Sequence, residues 1–140
     1  MHRSIFASLC LLLTASGANA ETASDLIAQS GIKGGLVVHV GAADATFTKA
    51  LRPGEAYQVQ ALTRDTATLE TLRSGIGSDY GPVCADLLTT PHLPYIENLV
   101  NLLVVEDPQV SREEIDRVLV PNGVALVKKN GAWEKFVKPR

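Results

Sequence analysis

The residues of this chain that can do chemistry are few, and they follow its most apolar runs. Glu106-Asp107 comes directly after Leu99–Val105 (LVNLLVV). Two carboxylates at the end of a buried strand can supply a general base or place a reacting group; the plainer reading is a solvated turn. His39 stands near the end of Gly35–Val40 (GLVVHV). Its imidazole can hydrogen-bond locally or, with His92 and Cys84, ligate a metal, but the spacing of those residues carries no metal signature. No metal site is therefore expected. Gly41 opens the turn after that run, and Ala43 and Ala45 follow it. The chain has no G-x-x-x-x-G-K phosphate loop, no G-x-S-x-G elbow and no G-x-G-x-x-G dinucleotide turn.

The elements that must position these residues alternate between strand and helix. Glu21–Ser30 reads as a short helix, capped by Thr22 or Ser24 and stopped by Gly31. Gly35–Val40 suits a strand buried on both faces. A modest helix is expected over Thr46–Leu51, a strand over Tyr57–Leu62, and a helix capped by Asp65 or Thr66 with Leu69, Leu72 and Ile76 on one side. Val83–Leu88 and Leu99–Val105 are further strands, separated by a proline-bearing loop over Thr90–Asn98. Ser111 and Glu114 have the spacing of a capping box, in which the serine serves a backbone amide and the glutamate reaches back. Pro121-Asn122-Gly123 is expected to turn the chain into a fifth strand over Val124–Lys128. Asn130-Gly131 then predicts a hairpin that brings Trp133–Val137 back antiparallel. This alternation argues for one α/β domain, a mostly parallel sheet covered by helices on both faces. Ligands of such sheets bind beyond the carboxyl ends of the strands, where strand order reverses.

The length of 140 residues is that of a single domain, and 46% hydrophobic against 20% charged residues excludes wholesale disorder. A net charge of −2 gives no electrostatic case for nucleic acid. Residues 1–20 have the three parts of a secretory signal: Arg3, an apolar run over Ile5–Leu13, and Ala18-Asn19-Ala20. The run is too short for a bilayer span, so cleavage after Ala20, a secreted or periplasmic domain over 21–140 and no membrane span afterwards are expected. Cys84 would then be the lone cysteine, read as a small buried residue or the site of an intermolecular disulfide.

Three stretches, in order, carry a resemblance to class I S-adenosylmethionine-dependent methyltransferases. Val38-His39-Val40-Gly41-Ala42-Ala43-Asp44-Ala45 lies where that family has its acidic-x-Gly-x-Gly-x-Gly loop. Asp86, Leu93-Pro94-Tyr95 and Glu97–Leu102 resemble the segment around its third and fourth strands. Arg117–Gly123 is similar to its R-V-L-K-P-G-G turn. The resemblance implies a shortened Rossmann-like sandwich, lacking the usual last two strands and closed by the hairpin. It implies S-adenosylmethionine as cofactor, contacted by His39, Gly41, Ala43, Ala45, Thr63 and Asp86, with Glu106 and Asp107 at the catalytic mouth. The departures point the other way. Ala43 and Ala45 replace glycines, His39 an acidic residue, Thr63 the ribose-binding carboxylate and Asn101 an aspartate. Asp65 could be a displaced ribose ligand or a helix cap, and Asp86 an adenine contact or a loop residue. The expectation is a methyltransferase-like domain with a degenerate site that is non-catalytic; the alternative is an active methyltransferase on an unknown acceptor. The chain also resembles the methyltransferase-like segment that precedes PQQ-binding-type β-propellers in some secreted bacterial proteins. The signal, the GGLVVHVG start and the end at Lys138-Pro139-Arg140 suit that picture, which implies a propeller or other protein partner.

Overall fold

The computed structural model describes residues 21–140; the signal expected over residues 1–20 lies outside them. Gly35–Val40 forms β1, flanked in parallel by β2 (Tyr57–Thr63) and β4 (Val100–Val105). β3 (Val83–Leu87) pairs with β2, and β5 (Leu119–Lys129) with β4, both parallel. β6 (Ala132–Val137) returns antiparallel on β5 through Asn130-Gly131, both at positive φ. The sheet order is β3-β2-β1-β4-β5-β6, so strand order reverses between β1 and β4.

Apolar strands alternate their side chains between two layers. Val37, Ala61, Leu102 and Leu126 face a core shared with α1 (Ala23–Ser30), α2 (Ala45–Ala50) and α3 (Thr66–Ile76). Val38, Val40, Leu103 and Val105 face the other core, covered by α4 (Arg112–Val118) and by Leu93 and Tyr95 of the preceding loop. The α/β sandwich with a closing hairpin is thus the one the strand runs predict.

Local signals behave unevenly. Thr22 caps α1 in a full capping box with Asp25, and Gly31 ends that helix at φ 70°. Asp65 caps α3 through the Thr68 amide. Ser111 caps α4, but Glu114 does not reach back to it as expected. Its carboxylate instead takes the Leu93 amide at 2.9 Å and Arg117 at 2.8 Å, which pins the 90–98 loop. Pro121-Asn122-Gly123 does not separate two elements. It lies inside one long β5, where the register against β4 slips between Val100 and Leu102 and Asn122 takes φ 64°. The turn-forming residues make a bulge, and the Asn122 amide donates to the Lys138 carbonyl at 2.9 Å.

Candidate functional site

The carboxyl ends of β1, β2 and β4 meet at one rim of the sheet, so Gly41, Thr63-Arg64 and Glu106-Asp107 are neighbours although far apart in sequence. Gly41 has φ +84°, and a Cβ there would stand 2.8 Å from the Asp107 amide nitrogen. The two loops therefore close on one another, and only glycine fits. Ala43 and Ala45 are not at positive φ, so alanine in place of glycine there carries no backbone strain. Of the two, Ala45 has a packing role away from the rim. That residue packs on the α-helical core, and a Cβ on Gly75 of α3 would stand 2.5 Å from its methyl carbon. Its small size serves the α2–α3 contact.

One shallow depression of about 290 Å³ joins Gly41, Ala43, Thr63, Asp65, Thr68 and Asp107. Most of its polar groups are engaged. The Thr63 hydroxyl accepts from the Asp65 amide at 3.3 Å. Asp65 accepts from the Thr68 hydroxyl and amide, which hold its carboxyl below the ordinary aspartate value. Arg64 reaches from the end of β2 over the tip of β1 and donates to Asp107 at 2.6 Å and to the Thr90 carbonyl at 3.0 Å. Asp107, itself buried, also accepts from the Gln109 amide at 2.8 Å. The remaining Arg64 nitrogen, Nη2, is buried without a partner among the described residues.

Glu106 points elsewhere, because successive side chains of an extended chain face opposite ways. Its Oε2 accepts from His39 Nε2 at 2.6 Å, and Lys128 Nζ stands 3.6 Å from Oε1. His39 is 1% exposed and makes its other ring contact with the Thr48 hydroxyl at 2.9 Å. It is the locally satisfied strand-end histidine of the plainer expectation. Partial burial alone would raise the Glu106 carboxyl. The hydrogen bond and charge of His39, with Lys128, outweigh it and hold the group below the ordinary glutamate value. These residues border a larger cleft of about 500 Å³, walled by Phe47 of α2 on one side and Trp133 of the hairpin on the other. His39, Ala43 and Glu106 thus share one cleft, while Gly41, Ala43 and Thr63 share the other with Asp107.

Asp86 joins neither. It accepts from Gln60 at 2.7 Å and from Arg73 at 3.3 Å, in a separate depression beside Tyr95. Asn101, read as a replaced aspartate near the fourth strand, lies at the start of β4, away from the rim. Its Oδ1 accepts from the Leu36 amide at 3.0 Å and lies against Gly35. Cys84 is half-buried, and burial raises its thiol. Sequence reasoning missed Arg64, Lys128 and Trp133. The only available signals were the position of Arg64 beside Thr63 and the hairpin turn that carries Trp133 back to Lys128, its register partner.

No protein-family model and no curated protein matches the sequence. Solved structures do match. A Methanococcus maripaludis protein described as an S-adenosyl-L-methionine-dependent methyltransferase superposes with TM-score 0.66 at 20% identity, over 75% of this chain and 52% of its own. The fold is methyltransferase-like. Geranyl diphosphate C-methyltransferase from Streptomyces coelicolor, solved with S-adenosyl-L-homocysteine, matches at TM-score 0.65 and 15% identity, over 75% of this chain and 43% of its own. The [4+2]-cyclase SpnF matches at TM-score 0.62 and 21% identity, over 74% and 42%. The methyltransferase-like chain described here spans about half the length of the solved structures it matches. That a cyclase shares the fold shows that the fold does not name a reaction.

Proposed function

We propose that the chain is a secreted, methyltransferase-like module that has lost its S-adenosylmethionine site and does not transfer methyl groups. The observation that carries this reading is the Arg64–Asp107 pair, which lines the depression beside Gly41. The residues present do not fit the cofactor. An adenosine ribose needs an uncommitted acceptor for its hydroxyls near Thr63. The carboxylates there are Asp65, whose Oδ2 is taken by the α3 cap and which offers a ribose Oδ1 alone, and Asp107, which holds Arg64. Freeing Asp107 would leave a half-buried guanidinium without its counter-ion, which costs a few kcal/mol. Asp86, the best-matched adenine contact, is held by Gln60 and Arg73 in another depression. Secretion rests on the signal-like residues Met1–Ala20, and a protein partner, such as a β-propeller, is the role left to a module of this kind.

Calorimetric titration of the purified chain with S-adenosylmethionine and S-adenosylhomocysteine tests the reading. No binding by a folded sample is expected. Micromolar binding of either at the Gly41 rim would overturn it and justify a screen for methyl acceptors. The mass of the exported protein tests secretion separately, with cleavage after Ala20 expected.

A further inference from the structure

The cleft between α2 and the β5–β6 hairpin has a chemistry of its own. Its volume of about 500 Å³ is within the range of small-molecule sites. Three carboxylates border it: Glu21, Asp44 and Glu106. Each is fixed through one oxygen. Glu21 Oε2 accepts from Gln29 at 2.9 Å, Asp44 Oδ1 from the Thr46 amide at 3.0 Å, and Glu106 Oε2 from the buried His39. Their other oxygens accept no hydrogen bond from the described residues. Two aromatic rings, Phe47 and Trp133, form the walls. A cation of the chain already rests there: Lys128 Nζ is 3.6 Å from Glu106 Oε1 and 5.7 Å from the centre of the Trp133 ring.

We infer that this cleft binds a small organic ammonium with an apolar or aromatic body. The Lys128 ammonium marks the ammonium position and acts as a built-in competitor. Carboxylates and the face of an indole both attract a positive centre, and they do so more strongly in a concave site that limits water. The apolar body would lie between Phe47 and Trp133. Three acids stand against Lys128 and, in a chain cleaved after Ala20, the α-ammonium of Glu21, so the cleft keeps a net negative charge and repels anions. Lys128 lies at the hairpin and is 42% exposed, so it can swing into solvent to yield its place. The inference does not depend on the absence of methyl transfer, because it concerns the cleft of Glu106 and Trp133 and not the depression closed by Arg64.

Trp133 is the only tryptophan of the sequence, so its emission reports on this cleft alone. The test is a fluorescence titration of the full chain with phenethylamine, with phenylacetate as the anion of matching body. Saturable change with phenethylamine at roughly millimolar concentration or below is expected, and none with phenylacetate. Lys128→Met should tighten phenethylamine binding several-fold by removing the competitor. Glu106→Gln should weaken it by about tenfold. Glu21→Gln and Asp44→Asn, which retain the local hydrogen bonds, should each weaken it less and serve if Glu106→Gln does not fold. Absence of saturation with phenethylamine, equal binding of phenylacetate, or loss of binding in Lys128→Met would each overturn the inference. S-adenosylhomocysteine, itself an ammonium with an aromatic body, is run in parallel on the native chain and on Glu106→Gln, and only binding that survives Glu106→Gln is assigned to the cofactor position. Such surviving binding refutes the lost cofactor site, and failure of phenethylamine refutes only the ammonium cleft.

Discussion

Replacing Glu114 by glutamine should weaken the protein by an amount that disappears in acid. In the folded chain Glu114 receives Arg117 through both carboxylate oxygens at 2.9 and 2.8 Å, the Leu93 amide at 2.9 Å and His92 at 3.2 Å. The Arg117 hydrogen bonds do most to hold its carboxyl at about 2 against the ordinary 4.5; burial opposes them, and Leu93 and His92 add to them. At about 1.4 kcal/mol per tenfold change in proton affinity, that difference is worth roughly 3 kcal/mol. Water around the exposed His92 and the partly exposed Arg117 reduces the expected loss to about 1–2 kcal/mol. Because the carboxyl is held below its unfolded value, the stabilisation is complete above about pH 4.5 and is lost as pH falls towards about 2. Urea unfolding of both proteins at a series of pH values measures it. The midpoints should be separated near neutrality and converge in acid, with unchanged slopes. A constant separation across the series would mean that glutamine perturbs packing rather than charge, and would refute the electrostatic account of how the 90–98 loop is held.

Three further substitutions test the rim and its supports. Asp107→Asn should cost about 2 kcal/mol in chemical unfolding, because it leaves the Arg64 guanidinium half-buried without its counter-ion. Gly75→Ala should cost roughly 1–3 kcal/mol, since the added carbon falls 2.5 Å from the Ala45 methyl and must push α2 from α3; Ala45→Gly in the same background should recover part of it. Asn101→Ala should cost about 1–2 kcal/mol by leaving the Leu36 amide unpaired, with no effect on phenethylamine titration, because Asn101 lies at the far end of the sheet from the cleft.

The fold was legible because its strands are buried on both faces and so read as unbroken apolar runs. GLVVHV and LVNLLVV appear in the structure within a residue of their expected limits. The hairpin was legible because Asn130-Gly131 has one backbone solution. Pro121-Asn122-Gly123 misled because residues that favour positive φ serve a bulge as well as a turn, and only the pairing partner decides which. The rim was far less legible. Arg64 and Asp107 are 43 positions apart, and nothing local marks one as the partner of the other. Glu106 and Asp107 read as one acidic cluster, yet chain geometry sends them to different clefts. Asn101 read as functional by its place in a motif, but its position at the start of β4 gives it a structural hydrogen bond.

The cleft walls come from both ends of the described chain: Glu21 precedes α1, while Lys128 and Trp133 belong to the closing hairpin. Lys135 of the same hairpin donates to the Gln29 carbonyl at the end of α1 at 2.8 Å, which draws the first helix and the last strand together. The cleft is therefore complete only once β6 has paired with β5. A nascent or prematurely terminated chain that stops short of β6 would carry the His39–Glu106 pair and the apolar cores, yet have no aromatic wall to hold a ligand. Ligand-dependent protection would then report that the β5–β6 hairpin is in place.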